Sequence, residues 1–106
     1  LGVSFKEDCP DIRNTKVIDI IDELIEYNCK VSIYDPWVNP EEAKKEYGIN
    51  LLKNIPINYY DGIIIAVSHK IFKKMGIKKI RSFAKSKNAV YDLKHLFPIE
   101  AVDKRL

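Results

Sequence analysis

The stretch "DGIIIAVSH", Asp61 to His69, constrains the fold more than any other part of the chain, because it sets Ile63, Ile64, Ile65, Ala66 and Val67 in one unbroken apolar run. A strand with one wet face alternates apolar and polar residues, whereas a run without alternation suits a central parallel strand covered on both faces. Parallel neighbours need crossover connections, normally helices. The run therefore predicts an α/β protein.

The flanking segments supply the other parts. "NTKVIDIIDELIEY" spaces Val17, Ile20, Ile21, Leu24 and Ile25 by three and four, with Asn14 or Thr15 as N-cap, which predicts an amphipathic helix. "CKVSIYDP" reads as a short strand ending at Asp35-Pro36. "NPEEAKKEYG" reads as a helix that opens on Asn-Pro, carries acids in its first turn and stops at Gly48. "GINLLKNI" is ambiguous, compatible with a short strand followed by a loop around Pro56. "KIFKKM" and "IKKIRSFAK" predict two short helices, and "NAVYDLKHLF" a last strand ending near Asp92. The opening "LGVSF" reads as the tail of a strand whose earlier residues precede it, so the chain is expected to be a fragment. Cys29, at the start of the second strand, is expected in the core.

Together these elements predict a single domain over residues 1–106: an open, mostly parallel, Rossmann-like three-layer sheet with helices on both faces. At this length one site, or part of one, is expected. A net charge of +3, with 46% hydrophobic and 31% charged residues, favours anionic ligands only weakly. The groups Lys44-Lys45, Lys73-Lys74, Lys78-Lys79-Arg81 and Lys85-Lys87 lack an aromatic-rich binding motif and read as solvated helix faces, not a nucleic-acid surface. No apolar run approaches a membrane span and no signal peptide opens the chain, so no membrane partner and a cytoplasmic setting are expected. Cys9 and Cys29 show no metal-ligand spacing, and neither a metal nor a disulfide is expected.

In open α/β sheets ligands bind beyond the carboxyl ends of the strands. Those ends carry Phe5-Lys6-Glu7-Asp8, Asp35-Pro36, Ser68-His69 and Asp92-Leu93-Lys94. Neither GxGxxG nor GxxxxGK[ST] follows the first strand, so the turn is not built to cradle a dinucleotide pyrophosphate by itself. It offers Lys6 as a point charge, Arg13 as a forked donor, and Asp8 and Asp11 as acceptors. Those groups suit a phosphate or ribose; equally, Asp11 caps the helix and Arg13 pairs with it. Asp35 is read as capping the turn before Pro36 ahead of holding a ribose, and His69 as structural ahead of ligand-binding. Cys9, followed by proline and with no histidine nearby in sequence, is not expected to be a nucleophile. Trp37 reads as a packing or oligomer contact.

"GVSFKEDCPDIRNTKVIDII", "KVSIYDPWV", "GIIIAVSHKIF" and "VYDLKHLFP" together resemble the C-terminal, UDP-binding domain of the UDP-glucose/GDP-mannose dehydrogenase family, over essentially the whole chain. The wording "CPDIRNT", the "AVSH" strand end and the closing "AVDKRL" are most similar to the subgroup that oxidises UDP-N-acetylhexosamines for surface polysaccharide. The resemblance implies an NAD-dependent, four-electron oxidation of a sugar C6 alcohol to a carboxylate by a homo-oligomeric enzyme. It places the NAD-binding domain, the central helix and the catalytic cysteine outside this chain, which alone is expected to be inactive. By the same resemblance Phe5, Lys6 and Lys94 match positions that bind the nucleotide sugar, and Arg13 matches one that reaches toward NAD. Lys94 stands where the family often has arginine, so a bidentate contact is not available there. The alternative is a free-standing flavodoxin-like ligand-binding or regulatory module, disfavoured because the third strand ends in Ser68-His69 and not in an acceptor aspartate.

Overall fold

The computed structural model describes residues 1–105; Leu106, the last residue of "AVDKRL", lies outside the described residues. In chain order the elements are α1 (Val17–Glu26), α2 (Pro40–Tyr47), β1 (Tyr60–Ile65), α3 (Lys70–Met75), α4 (Ile77–Ser82), β2 (Ala84–Asp92), a 3-10 turn (Ile99–Ala101) and β3 (Lys104–Arg105). The strands form a parallel sheet in the order β1-β2-β3.

Beyond β1 the sheet continues as irregular but paired backbone. The Leu1 nitrogen donates to the Ile64 carbonyl at 2.7 Å and Ala66 N–H to the Leu1 carbonyl at 2.9 Å. On the other side Gly2 N–H donates to the Tyr34 carbonyl at 2.8 Å, and a single parallel bridge joins Ile33 to Leu51. In space the order is thus Leu51, Ile33, Leu1–Val3, β1, β2, β3. Connections run outward one way from Leu1–Val3 and the other way from β1, so these two neighbours flank the topological switch point, where open α/β sheets place ligands. The close approach is exact enough to exclude a side chain at Gly2, where φ is +89° and a Cβ would lie 2.6 Å from that of Val67.

Local chemistry explains most boundaries. Asn39 accepts from Glu41 and Glu42 N–H, Pro40 fills the first helical position and Gly48 closes α2 in the left-handed region at φ 68°. Thr15 accepts from Val17 N–H at 3.3 Å at the head of α1, and Asn14 instead takes a left-handed turn at φ 58°. One core cluster gathers Ile63 and Ile65 with Phe72, Ile80, Phe83, Val90 and Phe97; another gathers Val3, Ile12, Ile21, Ile33, Val38 and Ala43. Each cluster thus has its own helix pair, α3 and α4 in the first, and α1 and α2 in the second.

Several boundaries depart from expectation. The first two predicted strands are reduced to the pairings above. β2 begins at Ala84, ahead of Asn88, through a pairing of Tyr60 with Ala84 and a register shift before Gly62. Lys85 and Lys87 therefore project from a strand and not a helix, although they are solvated as expected. β3 had no sequence signal. Cys29 is exposed, contrary to its expected place in the core: its N–H donates back to the Leu24 carbonyl, and Asn28 at φ 63° turns the chain outward after α1.

Candidate functional site

The carboxyl edge is organised by two aspartates that face inward. The Asp35 side chain is completely buried. Its Oδ2 accepts from Val3 N–H at 2.7 Å, Ser4 N–H at 3.0 Å and His69 Nε2 at 3.0 Å, while Oδ1 accepts from Trp37 N–H at 2.9 Å. Burial by itself would push this carboxyl up; the hydrogen bonds from His69, Val3 and Trp37 outweigh it and hold it below its ordinary value. The bond to Trp37 is the turn cap expected before Pro36. With four donors on it, Asp35 has no room for a ribose hydroxyl. Asp92, also fully buried, accepts from Lys94 N–H at 3.2 Å and Phe97 N–H at 2.8 Å, and so shapes the turn that carries Lys94.

His69 is buried at the switch point. Its Nδ1 accepts from Asp8 N–H at 2.8 Å, which places the ring hydrogen on Nε2, toward Asp35 and with Ser4 Oγ 3.3 Å away. Ser4 and Asp35 address the same nitrogen, so the three do not form a relay of the nucleophile–base–acid kind. The structural reading of His69 is the one observed. Asp8, at φ 52°, completes the knot by accepting from Lys70 N–H at 3.0 Å at the head of α3.

This buried frame presents Phe5, 56% exposed, with the exposed Lys6 and Glu7 beside it, and at another strand end the exposed Lys94. The geometry therefore sorts charge: the strand-end carboxylates of Asp35 and Asp92 turn into the protein, and the cations turn to solvent. Arg13 lies farther along the same stretch, its Nε and Nη2 gripping Asp11 Oδ1 and Oδ2 at 3.0 Å each. The Arg13 side-chain bond, reinforced by its backbone N–H, holds the Asp11 carboxyl at about 2, and Arg13 is raised in return. Both are solvent-facing, so the pair adds little stability. Asp11 thus binds its arginine and the turn at Arg13 N–H, and does not cap α1.

Asp8, Pro36, Trp37, Lys70 and Ile71 line an open groove of about 570 Å³ on this edge, with the Trp37 ring 6.3 Å from that of His69. Trp37 is 44% exposed, and its surface is available for a further contact. Ser4 carried no expectation; a serine directly before Phe5-Lys6 is a weak signal until Asp35 and His69 are brought beside it from 31 and 65 residues away. The chain's own residues do not fit a dinucleotide in the switch-point crevice: no glycine-rich turn is present, and the acid at the end of the second strand is saturated. Among the described residues no group of His, Cys, Asp and Glu is arranged to hold a metal, and no helix is long and apolar enough to cross a membrane.

Comparison with known proteins agrees with this geometry. Residues 1–98 match the family described as "UDP-glucose/GDP-mannose dehydrogenase family, UDP binding domain". The UDP-N-acetyl-D-glucosamine 6-dehydrogenases of Salmonella typhi and Pseudomonas aeruginosa are 53% and 50% identical to the whole of this chain, which covers 25% of each. The protein CapL of Staphylococcus aureus is 40% identical over 89% of the chain and 22% of its own length. The chain thus spans about a quarter of the length of these relatives. A parallel α/β sheet with its ligand edge at the switch point, matched end to end at such identity, belongs to the UDP-glucose/GDP-mannose dehydrogenase family as its UDP-binding domain.

Proposed function

We propose that this chain is the C-terminal, UDP-sugar-binding domain of a longer NAD-dependent nucleotide-sugar 6-dehydrogenase, with residues 1–106 as one domain. The substrate is a UDP-N-acetylhexosamine, UDP-N-acetylglucosamine first among them, whose C6 alcohol is oxidised to a uronic acid for surface polysaccharide. The observation that carries this reading is the 53% identity across all 106 residues to a UDP-N-acetyl-D-glucosamine 6-dehydrogenase. The carboxyl edge supports it in that Lys6 and Lys94 face solvent while the strand-end carboxylates of Asp35 and Asp92 turn inward, leaving Glu7 as the exposed acid beside Lys6.

In this reading Lys6 and Lys94 supply positive charge to the UDP moiety and Phe5 packs against it. Arg13 faces NAD held by another domain of the same enzyme, in the cytoplasm. In this reading the hydride acceptor and the nucleophile belong to other parts of the enzyme, and the isolated domain binds but does not oxidise. The whole enzyme is a homo-oligomer, to which the exposed Trp37 is free to contribute.

The test is a nitrogen-edited NMR titration with UDP, UDP-N-acetylglucosamine and NAD, following the amides of Phe5 to Arg13 and Leu93 to His95. Saturable shifts in both segments with the UDP compounds are expected. Oxidation of UDP-N-acetylglucosamine by the full-length protein with NAD, abolished on removing residues 1–106, completes the case. Shifts confined to one segment, or full-length protein inert toward every UDP-sugar, refute it.

A further inference from the structure

The loop that carries Phe5 and Lys6 is pinned at three backbone atoms. Phe5 N–H donates to the Asp11 carbonyl at 2.7 Å, the Lys6 carbonyl accepts from Ser4 Oγ at 2.9 Å, and Asp8 N–H donates to His69 Nδ1 at 2.8 Å. Two of the three pins come from fully buried side chains, Ser4 and His69, which meet each other at 3.3 Å. The Ser4 carbonyl is held in turn by Thr15 Oγ1 at 3.4 Å, and His69 by Asp35 at 3.0 Å. Asp8 takes a left-handed backbone at φ 52°, a shape an aspartate adopts at a cost and keeps only when its surroundings impose it.

We propose that Ser4 and His69 are positioning residues, a buried brace that holds the Phe5–Asp8 loop in the one shape in which Lys6 meets the pyrophosphate of the nucleotide sugar. Neither side chain reaches solvent, so neither touches ligand. Each acts on it through a main-chain atom of the loop: Ser4 through the carbonyl of Lys6 itself, His69 through the amide two residues on. The brace rests on the reading of Lys6 as a nucleotide-sugar contact.

The two nitrogens of His69 do separable work. An asparagine at this position places an amide oxygen near Nδ1 and keeps the acceptor for Asp8 N–H while giving up the bond to Asp35. A glutamine places an amide donor near Nε2 and keeps Asp35 while giving up Asp8. A merely structural histidine would respond to the two replacements in proportion to lost stability.

The experiment measures UDP binding by calorimetry and the urea midpoint for the full-length protein and its Ser4→Ala, His69→Gln, His69→Asn and Lys6→Ala variants. Ser4→Ala and His69→Gln each weaken UDP about fivefold, the scale of one net hydrogen bond, while His69→Asn stays within about twofold of the parent even where its midpoint falls. Lys6→Ala weakens UDP as well. If Lys6→Ala weakens UDP and Ser4→Ala with His69→Gln does not, the brace is refuted and the substrate reading stands. If His69→Asn loses as much as His69→Gln, the Nδ1 pin is refuted. Should His69→Gln fail to fold, Ser4→Ala, which removes one hydroxyl, decides alone. A Lys6→Ala protein that binds UDP undiminished overturns the reading and the brace together.

Discussion

Replacing Asp35 with asparagine separates charge from shape at the centre of the carboxyl edge. The amide oxygen settles at the Oδ2 site, where Val3, Ser4 and His69 all donate, because three donors outweigh one. The amide nitrogen then faces Trp37 N–H, donor against donor, where Oδ1 accepted at 2.9 Å. One charge-assisted bond is lost outright, about 1.5–3 kcal/mol, and the remaining three lose their ionic component. The expected destabilisation at neutral pH is about 3–5 kcal/mol, measured by urea unfolding. Acid provides the internal control. The folded-state carboxyl sits below its ordinary value of 3.8, so its contribution is present above that value and is lost as pH falls through the folded-state one. The gap between parent and Asp35→Asn should therefore narrow as pH drops below about 4. A variant within 1 kcal/mol of the parent at neutral pH, or a gap that widens in acid, refutes the account of Asp35 as the ionised hub of this edge.

Gly2→Ala meets Val67 Cβ at 2.6 Å in a left-handed backbone and is expected to cost at least about 2 kcal/mol, read as a fall in thermal midpoint; an unchanged midpoint would mean that the strand beside β1 shifts freely. Arg13→Ala is expected to leave the midpoint within about 1 °C, as befits a solvent-facing pair, while raising the Michaelis constant for NAD in the full-length enzyme; the reverse pattern would make Arg13 structural. With Asp11 held at about 2, that pair stays ionised through ordinary assay conditions, so the Arg13→Ala effect should be flat between about pH 5 and 8. Lys94→Arg is expected to keep or tighten UDP binding and Lys94→Ala to weaken it several-fold; equal binding by both variants removes Lys94 from the site.

Where local chemistry decided a feature, the sequence announced it. Asn39-Pro40 and Gly48 bound α2 because a cap, a fixed φ and a left-handed stop act within a few residues. The run from Ile63 to Val67 announced the central strand, although only Ile63 and Ile65 join the core and Ile64, on the opposite face, is half-buried. Features decided by distant partners were silent: β3 exists because Tyr91 and Asp92 offer it a parallel neighbour, and β2 starts early because Tyr60 reaches Ala84. The edge shows the same divide. That Phe5, Lys6, Asp35, His69 and Lys94 share one side of the sheet followed from topology. That Asp35 is turned inward under four donors, with Ser4 beside it, required the packing of segments tens of residues apart. Cys29 misled because a β-branched run after it suggested a strand, whereas the turn at Asn28 keeps it outside.

The segment around Gly2 lies between Tyr34 on one side and β1 on the other, with Leu1 bonded to a carbonyl 63 residues away. Such a placement carries a kinetic penalty. A strand seated in the middle of the sheet cannot pair on both edges until the chain that follows has formed α1, α2 and β1, and closing so long a loop slows folding. Its apolar Val3 and unpaired backbone wait meanwhile for a partner, which makes this stretch the place where refolding is expected to stall or to recruit a strand from another molecule. The residues that frame the ligand edge are thus held by partners 32 to 63 residues away, and not by local structure alone.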